Sequence, residues 1–132
     1  MTPQVLQRFV ARFGARGLRP EALTPVYGLS EATLAVCFGD LLRPFHWQGF
    51  DRERLAGQGV ALACDEGQPL VSLGRPLPGF EVRIRDEQGD EQEAGRIGRV
   101  WGRGPSIMQG YHGLPEATGR VRQATPVQAL PP

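Results

Sequence analysis

One stretch of the sequence reads Pro25-Val26-Tyr27-Gly28-Leu29-Ser30-Glu31-Ala32-Thr33-Leu34. Its centre, residues 27–31, brings together an aromatic ring, a glycine, a hydroxyl and a carboxylate. The segment Thr24–Tyr27 favours a strand, and Gly28 supplies the backbone freedom that a turn needs. Ser30 is a good N-cap, and the apolar run after it predicts a helix that continues to Phe38. This order of strand, turn and helix predicts an anion-binding site at the edge of a sheet.

Three side chains of this stretch suit the binding of a nucleotide. The ring of Tyr27 offers a platform for a purine, and the hydroxyl of Ser30 offers a donor to a phosphate. The carboxylate of Glu31 is a hard oxygen ligand of the kind that Mg²⁺ prefers. On these residues alone, a well-capped helix with an acidic first turn explains the pattern at least as well. Both interpretations therefore stay open at this point.

The composition narrows the class of protein. The 132 residues include 18 glycines and 12 prolines, spread among strand-like runs, which favours turn-rich β structure over disorder. The net charge of +1 gives no indication of a nucleic-acid partner. All 15 basic residues are arginine, so the chain has no lysine to act as an amine nucleophile. Cys37 and Cys64 have no metal-site spacing and are expected to be reduced, and no signal peptide or membrane span is predicted, so we expect a cytoplasmic protein.

The rest of the chain alternates between helical and strand-like segments. Apolar residues at helical spacing predict an amphipathic helix over Gln4–Arg16. A polar helical turn is predicted over Asp51–Ala56, and a frayed tail from Gly119 onward. Four further runs predict strands, namely Val60–Cys64, Leu70–Leu73, Phe80–Arg85 and Ile97–Trp101. The second half is therefore predicted to be rich in antiparallel β structure.

Three blocks of the sequence resemble motifs of the acid-adenylating enzymes. Tyr27–Glu31 resembles their tyrosine–glycine–x–serine/threonine–glutamate motif. Val71–Ile84 resembles the glycine–arginine–proline segment that follows it, and Gly95–Tyr111 resembles the later block that ends in glycine–tyrosine. Leu114–Thr118 is similar to the start of the next helix in these enzymes. Because the blocks occur in the family order, the chain is identified as a member of this superfamily, which includes acyl-CoA synthetases, luciferases and the adenylation domains of peptide synthetases.

Within the superfamily, the chain is most similar to the fatty acyl-AMP ligases. These continue the first motif as glutamate–alanine–threonine–leucine, as Glu31–Leu34 does, and Phe50–Ala61 resembles an insertion that hinders the transfer of the acyl group to CoA. The resemblance implies that a fatty acid and ATP give acyl-AMP and pyrophosphate, and that the acyl group passes to an acyl carrier protein in polyketide or lipopeptide biosynthesis. The alternatives are a fatty acyl-CoA synthetase, a degenerate remnant that binds nucleotide weakly, and a freestanding β-rich interaction module.

The resemblance also implies roles for individual residues. Ser30 and Glu31 would be catalytic, with Ser30 at the phosphate and Glu31 on Mg²⁺. Tyr27 would contact the adenine of ATP or AMP, while Gly28 and Leu29 would line the junction between the acyl group and the adenylate. Two other positions differ from the family pattern: Arg99 stands where a glutamate is usual, and Gly102 where a β-branched residue is usual.

The implied fold is α/β, or α+β for a part of it, in four sections. Residues 1–40 would end an α/β subdomain that carries the nucleotide motif, and residues 41–70 would form an insertion-like linker. Residues 71–118 would form a β-barrel-like subdomain, and residues 119–132 a frayed tail. The phosphate loop, the ribose-binding aspartate and the catalytic lysine of the family have no match in this sequence. We therefore expect an inactive fragment of the N-terminal domain, with exposed apolar faces that promote self-association.

Overall fold

The computed structural model describes residues 1–122 and shows a mixture of helices and strands. The α-helices of these residues are α1 (Pro3–Gly14), α2 (Arg52–Gln58) and α3 (Pro115–Val121). Their strands are β1 (Val26–Gly28), β2 (Ala35–Phe38), β3 (Trp47–Phe50), β4 (Gln68–Val71), β5 (Arg75–Pro76), β6 (Glu81–Arg85) and β7 (Arg99–Arg103). Two short 3₁₀ turns cover Pro20–Ala22 and Ser30–Ala32. This combination confirms the expected α/β class.

The strands of the described residues form three separate antiparallel sheets. One sheet has the order β1-β2-β5, while β3 pairs with β4 and β6 pairs with β7. These sheets do not close into a barrel within residues 1–122, and the bounds of the expected barrel-like subdomain, residues 71–118, stay a prediction. The first sheet instead joins the nucleotide motif to the beginning of the second sequence block, since β5 pairs with β2.

The amphipathic first helix is confirmed, with Pro3 at its first turn, where a missing N–H costs nothing. Helix α1 contacts strand β4, and Pro3 is buried. The rings of Phe9 and Phe13, four residues apart, lie in contact with their centroids separated by 4.6 Å. Both rings remain exposed, so the apolar face of α1 is only partly covered within residues 1–122.

The helix predicted to begin at Ser30 is wrong. A single 3₁₀ turn, Ser30–Ala32, is followed by strand β2, whose residues Val36 and Cys37 are buried. Ser30 is also not an N-cap, because that position belongs to Leu29 and no side chain caps the turn. The periodicity of a short apolar run does not distinguish a buried strand from a helix. Pairing with β1 on one side and β5 on the other selects the strand.

The remaining predictions have mixed outcomes. Strand β6 confirms the strand predicted over Phe80–Arg85, whereas its partner β7 begins two residues later than the predicted Ile97–Trp101. The predicted strand Val60–Cys64 is wrong, since Val60 and Ala63 make only isolated bridges. Gly119–Val121 belong to α3 rather than to a tail, and residues 123–132 lie outside the described residues.

Within residues 1–122, none of the helices has the length and hydrophobicity needed to cross a bilayer.

The small core lies directly beneath the nucleotide motif. Ala32, Val36 and Cys37 are its buried residues. Half-buried apolar side chains pack on them from the motif, from β6 and from the chain after β7, namely Tyr27, Leu29, Phe80, Val82 and Ile107. Burial raises the pKa of the Cys37 thiol, and both cysteines are free, as expected. The fold therefore uses all three sequence blocks to enclose one core.

Candidate functional site

The motif begins with a close approach of two backbone segments that glycine permits. Strand β1 ends at Gly28, which pairs with Ala35 after an irregularity in register. A Cβ atom at Gly28 would lie 1.7 Å from the carbonyl oxygen of Leu34, so any larger residue would force the two segments apart. The turn between them, which carries the candidate residues, depends on this glycine.

The turn ends in a strained backbone conformation at Thr33. This residue has φ 72° and ψ −56°, and Thr33 is the non-glycine residue with positive φ within residues 1–122. The N–H of Leu34 donates to the carbonyl oxygen of Ala32 at 2.9 Å, which closes a γ-turn of the rare, strained form. Such a conformation costs about 1–3 kcal/mol and persists only where the surroundings hold it.

The surroundings that hold the turn come from residues 104–111, which we call the clamp loop. Two hydrogen bonds join Ser106 to the turn: its hydroxyl donates to the Ala32 carbonyl at 3.0 Å, and its carbonyl accepts from the Thr33 hydroxyl at 3.3 Å. The N–H of Met108 donates to the carbonyl oxygen of Glu31 at 2.7 Å. The clamp loop thus fixes both the backbone and the strained end of the turn.

The clamp loop also reaches the side chain of Glu31. The hydroxyl of Tyr111 donates a short 2.5 Å hydrogen bond to Oε1 of Glu31, although the two residues are 80 positions apart. This bond lowers the pKa of Glu31 and raises the pKa of Tyr111. The carboxylate is therefore ionised at neutral pH, and no arginine within residues 1–122 forms a salt bridge with it. The result is a negative charge that a neutral hydroxyl positions and that has no salt bridge within residues 1–122, although arginines line the cavity beside it.

A cavity of about 370 Å³ opens beside this carboxylate. Tyr27, Leu29 and Glu31 line it from the motif, and strand β7 lines it as well. Arg120 and Arg122, at the end of the described chain, also line this cavity. Gly28 and Ser30 are not among its lining residues. The Ser30 residue is exposed, and its carbonyl accepts from the Thr33 N–H at 3.1 Å. Of the five predicted site residues, the structure therefore brings three to one cavity.

Several residues of the site were not assigned a role from the sequence. Arg99 and Gly102, noted only as departures from the family pattern, both line the same cavity. The clamp residues Ser106, Met108 and Tyr111 lie in the third sequence block, where none of the three was given a role. The hydroxyl of Ser106 and the phenol of Tyr111, both within a block that resembles the family, were the features of the sequence that could have indicated a polar contact there.

The site fits a divalent cation that arrives with a nucleotide. Within the part of the chain that the structure describes, no cluster of three or more His, Cys, Asp or Glu residues could enclose a metal ion. Mg²⁺ does not need such a cluster, because it is usually held by one or two carboxylates together with substrate phosphates and water. The lone ionised carboxylate of Glu31, at the rim of a cavity with an aromatic residue, matches that donor set.

Comparisons with known proteins agree on one family. The family model described as AMP-binding enzyme matches residues 1–112. A protein of Mycobacterium tuberculosis that carries the name fatty-acid–CoA ligase fadD25 is 40% identical over 125 residues, which are 93% of this chain and 21% of that protein. The 4-hydroxyphenylalkanoate adenylyltransferase of Mycobacterium marinum is 38% identical over 128 residues, which are 94% of this chain and 20% of that protein. The chain therefore spans about a fifth of the length of these curated relatives.

Solved structures show the same likeness in three dimensions. A structure from studies of the fatty acyl-adenylate ligases of Escherichia coli and Legionella pneumophila has a TM-score of 0.85 and 29% identity, and the match covers 92% of this chain and 22% of that one. The L. pneumophila fatty acyl-adenylate ligase in complex with acyl adenylate and pyrophosphate has a TM-score of 0.82 and 28% identity, covering 90% of this chain and 21% of that one. From the motif, the fold and these matches together, the chain belongs to the family of AMP-binding enzymes.

Proposed function

We propose that the chain forms part of a ligase that activates a fatty acid as its adenylate. A carboxylate oxygen of the fatty acid attacks the α-phosphorus of ATP, the bond from that phosphorus to the bridging oxygen breaks, and pyrophosphate leaves. The observation that carries this proposal is the ionised carboxylate of Glu31, which is held by Tyr111, has no salt bridge within residues 1–122 and lines the same cavity as Tyr27. The names of the relatives support it, since they include an adenylyltransferase and an acyl-adenylate ligase.

The roles of the individual residues are part of this proposal. Tyr27 stacks on adenine, because its half-buried ring faces the cavity. Glu31 would hold Mg²⁺, which would neutralise phosphate charge that the nucleophile otherwise meets. Leu29 lines the junction between acyl group and adenylate. Gly28 and Ser30 do not line the cavity, and their proposed roles, at that junction and as a donor to the phosphate, come from the family resemblance alone. Catalysis of this kind is mainly positioning and charge neutralisation, and these five residues supply part of both.

The rest of the reaction needs groups that this chain does not contain. Its sequence has no lysine, and it spans about a fifth of its relatives' length. We therefore propose that the chain alone does not turn over, and that its four sections (1–40, 41–70, 71–118 and 119–132) are parts of a larger N-terminal domain. We also propose that the protein is cytoplasmic. A degenerate remnant without catalysis is the non-enzymatic alternative.

An acyl carrier protein is the proposed acceptor of the acyl group, and the supporting feature is the segment Phe50–Ala61. Helix α2 forms its centre, capped by the carboxylate of Asp51, which accepts from the N–H of Arg54 at 2.9 Å. Its end is fastened to the turn before β7, where Ala61 N–H donates to Gly95 at 2.7 Å. A segment fixed in this way is able to hinder the transfer of the acyl group to CoA. CoA is the second candidate, since a relative that is 40% identical is named a fatty-acid–CoA ligase.

The proposal is tested by the effect of ligands on the thermal unfolding of the 132-residue chain. ATP with Mg²⁺, and more strongly a fatty acyl-AMP, should raise the melting temperature, because a ligand that binds only the folded state stabilises it by RT ln(1 + [L]/Kd). Tyr27→Ala should abolish that increase, measured against its own ligand-free baseline. Trp47→Ala, which removes an exposed aromatic residue outside the cavity, is the matched control.

Two outcomes would contradict the proposal. No stabilisation of the wild-type chain by ATP or by acyl-AMP would favour the remnant instead. ATP–pyrophosphate exchange by the purified chain is expected at background level, and exchange at the rate of a complete ligase would overturn the proposal that it needs residues from elsewhere.

A further inference from the structure

The contact between Tyr111 and Glu31 points to a role that the sequence motifs do not assign. We propose that Tyr111 is a positioning residue that holds the Glu31 carboxylate by Oε1 and leaves its second oxygen directed to the magnesium–nucleotide complex. This inference rests on the proposed function, because it assumes that Glu31 binds the metal. It adds a residue from the far end of the chain to that site.

Glu31 needs such an anchor because of where it lies. It is the middle residue of a three-residue 3₁₀ turn, and such a short turn packs little against its side chains. A glutamate side chain has three rotatable bonds, and each must be fixed before the carboxylate can bind a metal in one geometry. Within residues 1–122, the hydrogen bond from Tyr111 is the contact that fixes its far end.

A backbone contact beside this bond means that Glu31 is held at two points. Met108 N–H donates to the Glu31 carbonyl at 2.7 Å, while the Tyr111 hydroxyl donates to its carboxylate at 2.5 Å. Both ends of Glu31 are thus bound to the same clamp loop. A metal ligand held at both ends loses less conformational freedom when the metal binds.

Tyr111 is itself held from the other side. Its N–H donates to the hydroxyl oxygen of Thr118 at 2.9 Å, and that hydroxyl donates in turn to the carbonyl of Leu114 at 2.9 Å. Thr118 lies in helix α3, which begins at Pro115. The position of the Glu31 carboxylate is therefore connected through Tyr111 to the helix at the end of the described chain.

A phenol is better suited than a cationic side chain to orient the Glu31 carboxylate for metal binding. A neutral hydroxyl orients the carboxylate without cancelling its charge, so the attraction for Mg²⁺ remains. An arginine in the same place would neutralise Glu31 and compete with the metal. The geometry is that of a group which supports a metal ligand through a hydrogen bond, a kind of contact whose loss typically weakens metal binding by 10- to 100-fold.

The test compares the wild-type chain with Tyr111→Phe, which removes only the hydroxyl. Two quantities are measured: the Mg²⁺ concentration that gives half-maximal enhancement of ATP binding, and the mobility of the Glu31 Cγ methylene in the ligand-free chain by ¹³C NMR relaxation. Ser72→Ala is the matched control, because it removes a hydroxyl that accepts from Gly74 N–H outside the cavity. ATP binding without Mg²⁺ and the melting temperature are followed in all three proteins.

We expect Tyr111→Phe to need about tenfold more Mg²⁺ and to have a more mobile Glu31 side chain, with ATP binding in the absence of Mg²⁺ unchanged. Ser72→Ala should match the wild type in all of these. An unchanged Mg²⁺ requirement would overturn the inference, and a lower one would show that Tyr111 competes with the metal instead. If the wild-type chain binds no ATP, the proposed function fails, and the mobility of Glu31 alone decides whether Tyr111 positions it.

Discussion

Two glutamates of this chain have lowered pKa values for different physical reasons. Glu31, in the nucleotide motif, accepts a hydrogen bond from the neutral hydroxyl of Tyr111 at 2.5 Å. Glu81, on strand β6, lies between two guanidinium groups and binds Arg83 at 2.8 Å and Arg103 at 2.6 Å. Its pKa is lowered first by the hydrogen bond from Arg83 and then by the charge of Arg103.

The difference shows how a fold separates a structural carboxylate from one that is available to a ligand. The charge of Glu81 is compensated by Arg103, which is its direct neighbour across the β6–β7 ladder, and the pair contributes to the pairing of those strands. The charge of Glu31 is oriented by a neutral hydroxyl and has no salt bridge within residues 1–122. An ionised carboxylate has a strong affinity for a cation only when no cation of the protein already occupies it, so Glu31 is the candidate metal ligand and Glu81 is not.

The largest effect is expected from Gly28→Ala, which disrupts the Glu31 region and leaves the β6–β7 sheet intact. Its added Cβ would lie 1.7 Å from the Leu34 carbonyl oxygen, so the turn must move. We expect a loss of about 3 kcal/mol or more in the free energy of unfolding, measured by urea denaturation.

Gly102→Ala is the matched control in strand β7. A Cβ there would meet only Ile107 Cδ1, at 4.0 Å, so there is space for it. We expect a change between zero and about 1 kcal/mol of stabilisation, because alanine loses less conformational freedom than glycine in a strand. Equal destabilisation by the two variants would show that the close approach at Gly28 is not what holds the turn.

A smaller effect is expected from Glu81→Gln, and it should depend on pH and salt. A carboxylate with a lowered pKa in the folded state contributes stability that is fully present above its unfolded value, here 4.5, and is lost as the pH falls through the lower folded value. The melting temperature of Glu81→Gln should therefore be slightly below that of the wild type at neutral pH. The two should converge in acid and in high salt.

Glu87→Gln is the control for this titration, because Glu87 is exposed and makes no salt bridge within residues 1–122. Its melting curve should follow the wild type at every pH. A difference between wild type and Glu81→Gln that grows as the pH falls would refute the assignment of Glu81 as a compensated, structural carboxylate.

Local pattern was sufficient for the parts of the fold that are stabilised locally. Helix α1 has the apolar spacing and the initial proline of an isolated amphipathic helix, and β6 alternates apolar and charged residues over its whole length. Strand β2 was predicted as a helix because its strand state depends on two partners, β1 and β5, that lie elsewhere in the sequence.

The candidate site shows more clearly that local sequence pattern does not predict contacts between distant residues. Tyr27 and Glu31 were identifiable because they are close together in the sequence and form a family motif. The contact of Glu31 with Tyr111 spans 80 residues and involves two side chains that no local periodicity connects. Similarly, hydrogen bonding to Ser106 stabilises the strained backbone of Thr33, so neither residue alone predicts that conformation from the sequence. Sequence blocks located the site, and tertiary contacts decided how its carboxylate is presented.

The central claim is that Glu31 is the metal ligand of a nucleotide site, and isothermal titration calorimetry of ATP tests it most directly. The wild-type chain, Glu31→Gln and Glu81→Gln are each titrated with and without Mg²⁺. Glutamine at position 31 keeps an oxygen to accept the Tyr111 hydrogen bond, so the turn is preserved while the charge is removed. We predict that Mg²⁺ strengthens ATP binding to the wild type and to Glu81→Gln and has no effect on binding to Glu31→Gln. An undiminished Mg²⁺ enhancement in Glu31→Gln would contradict the account.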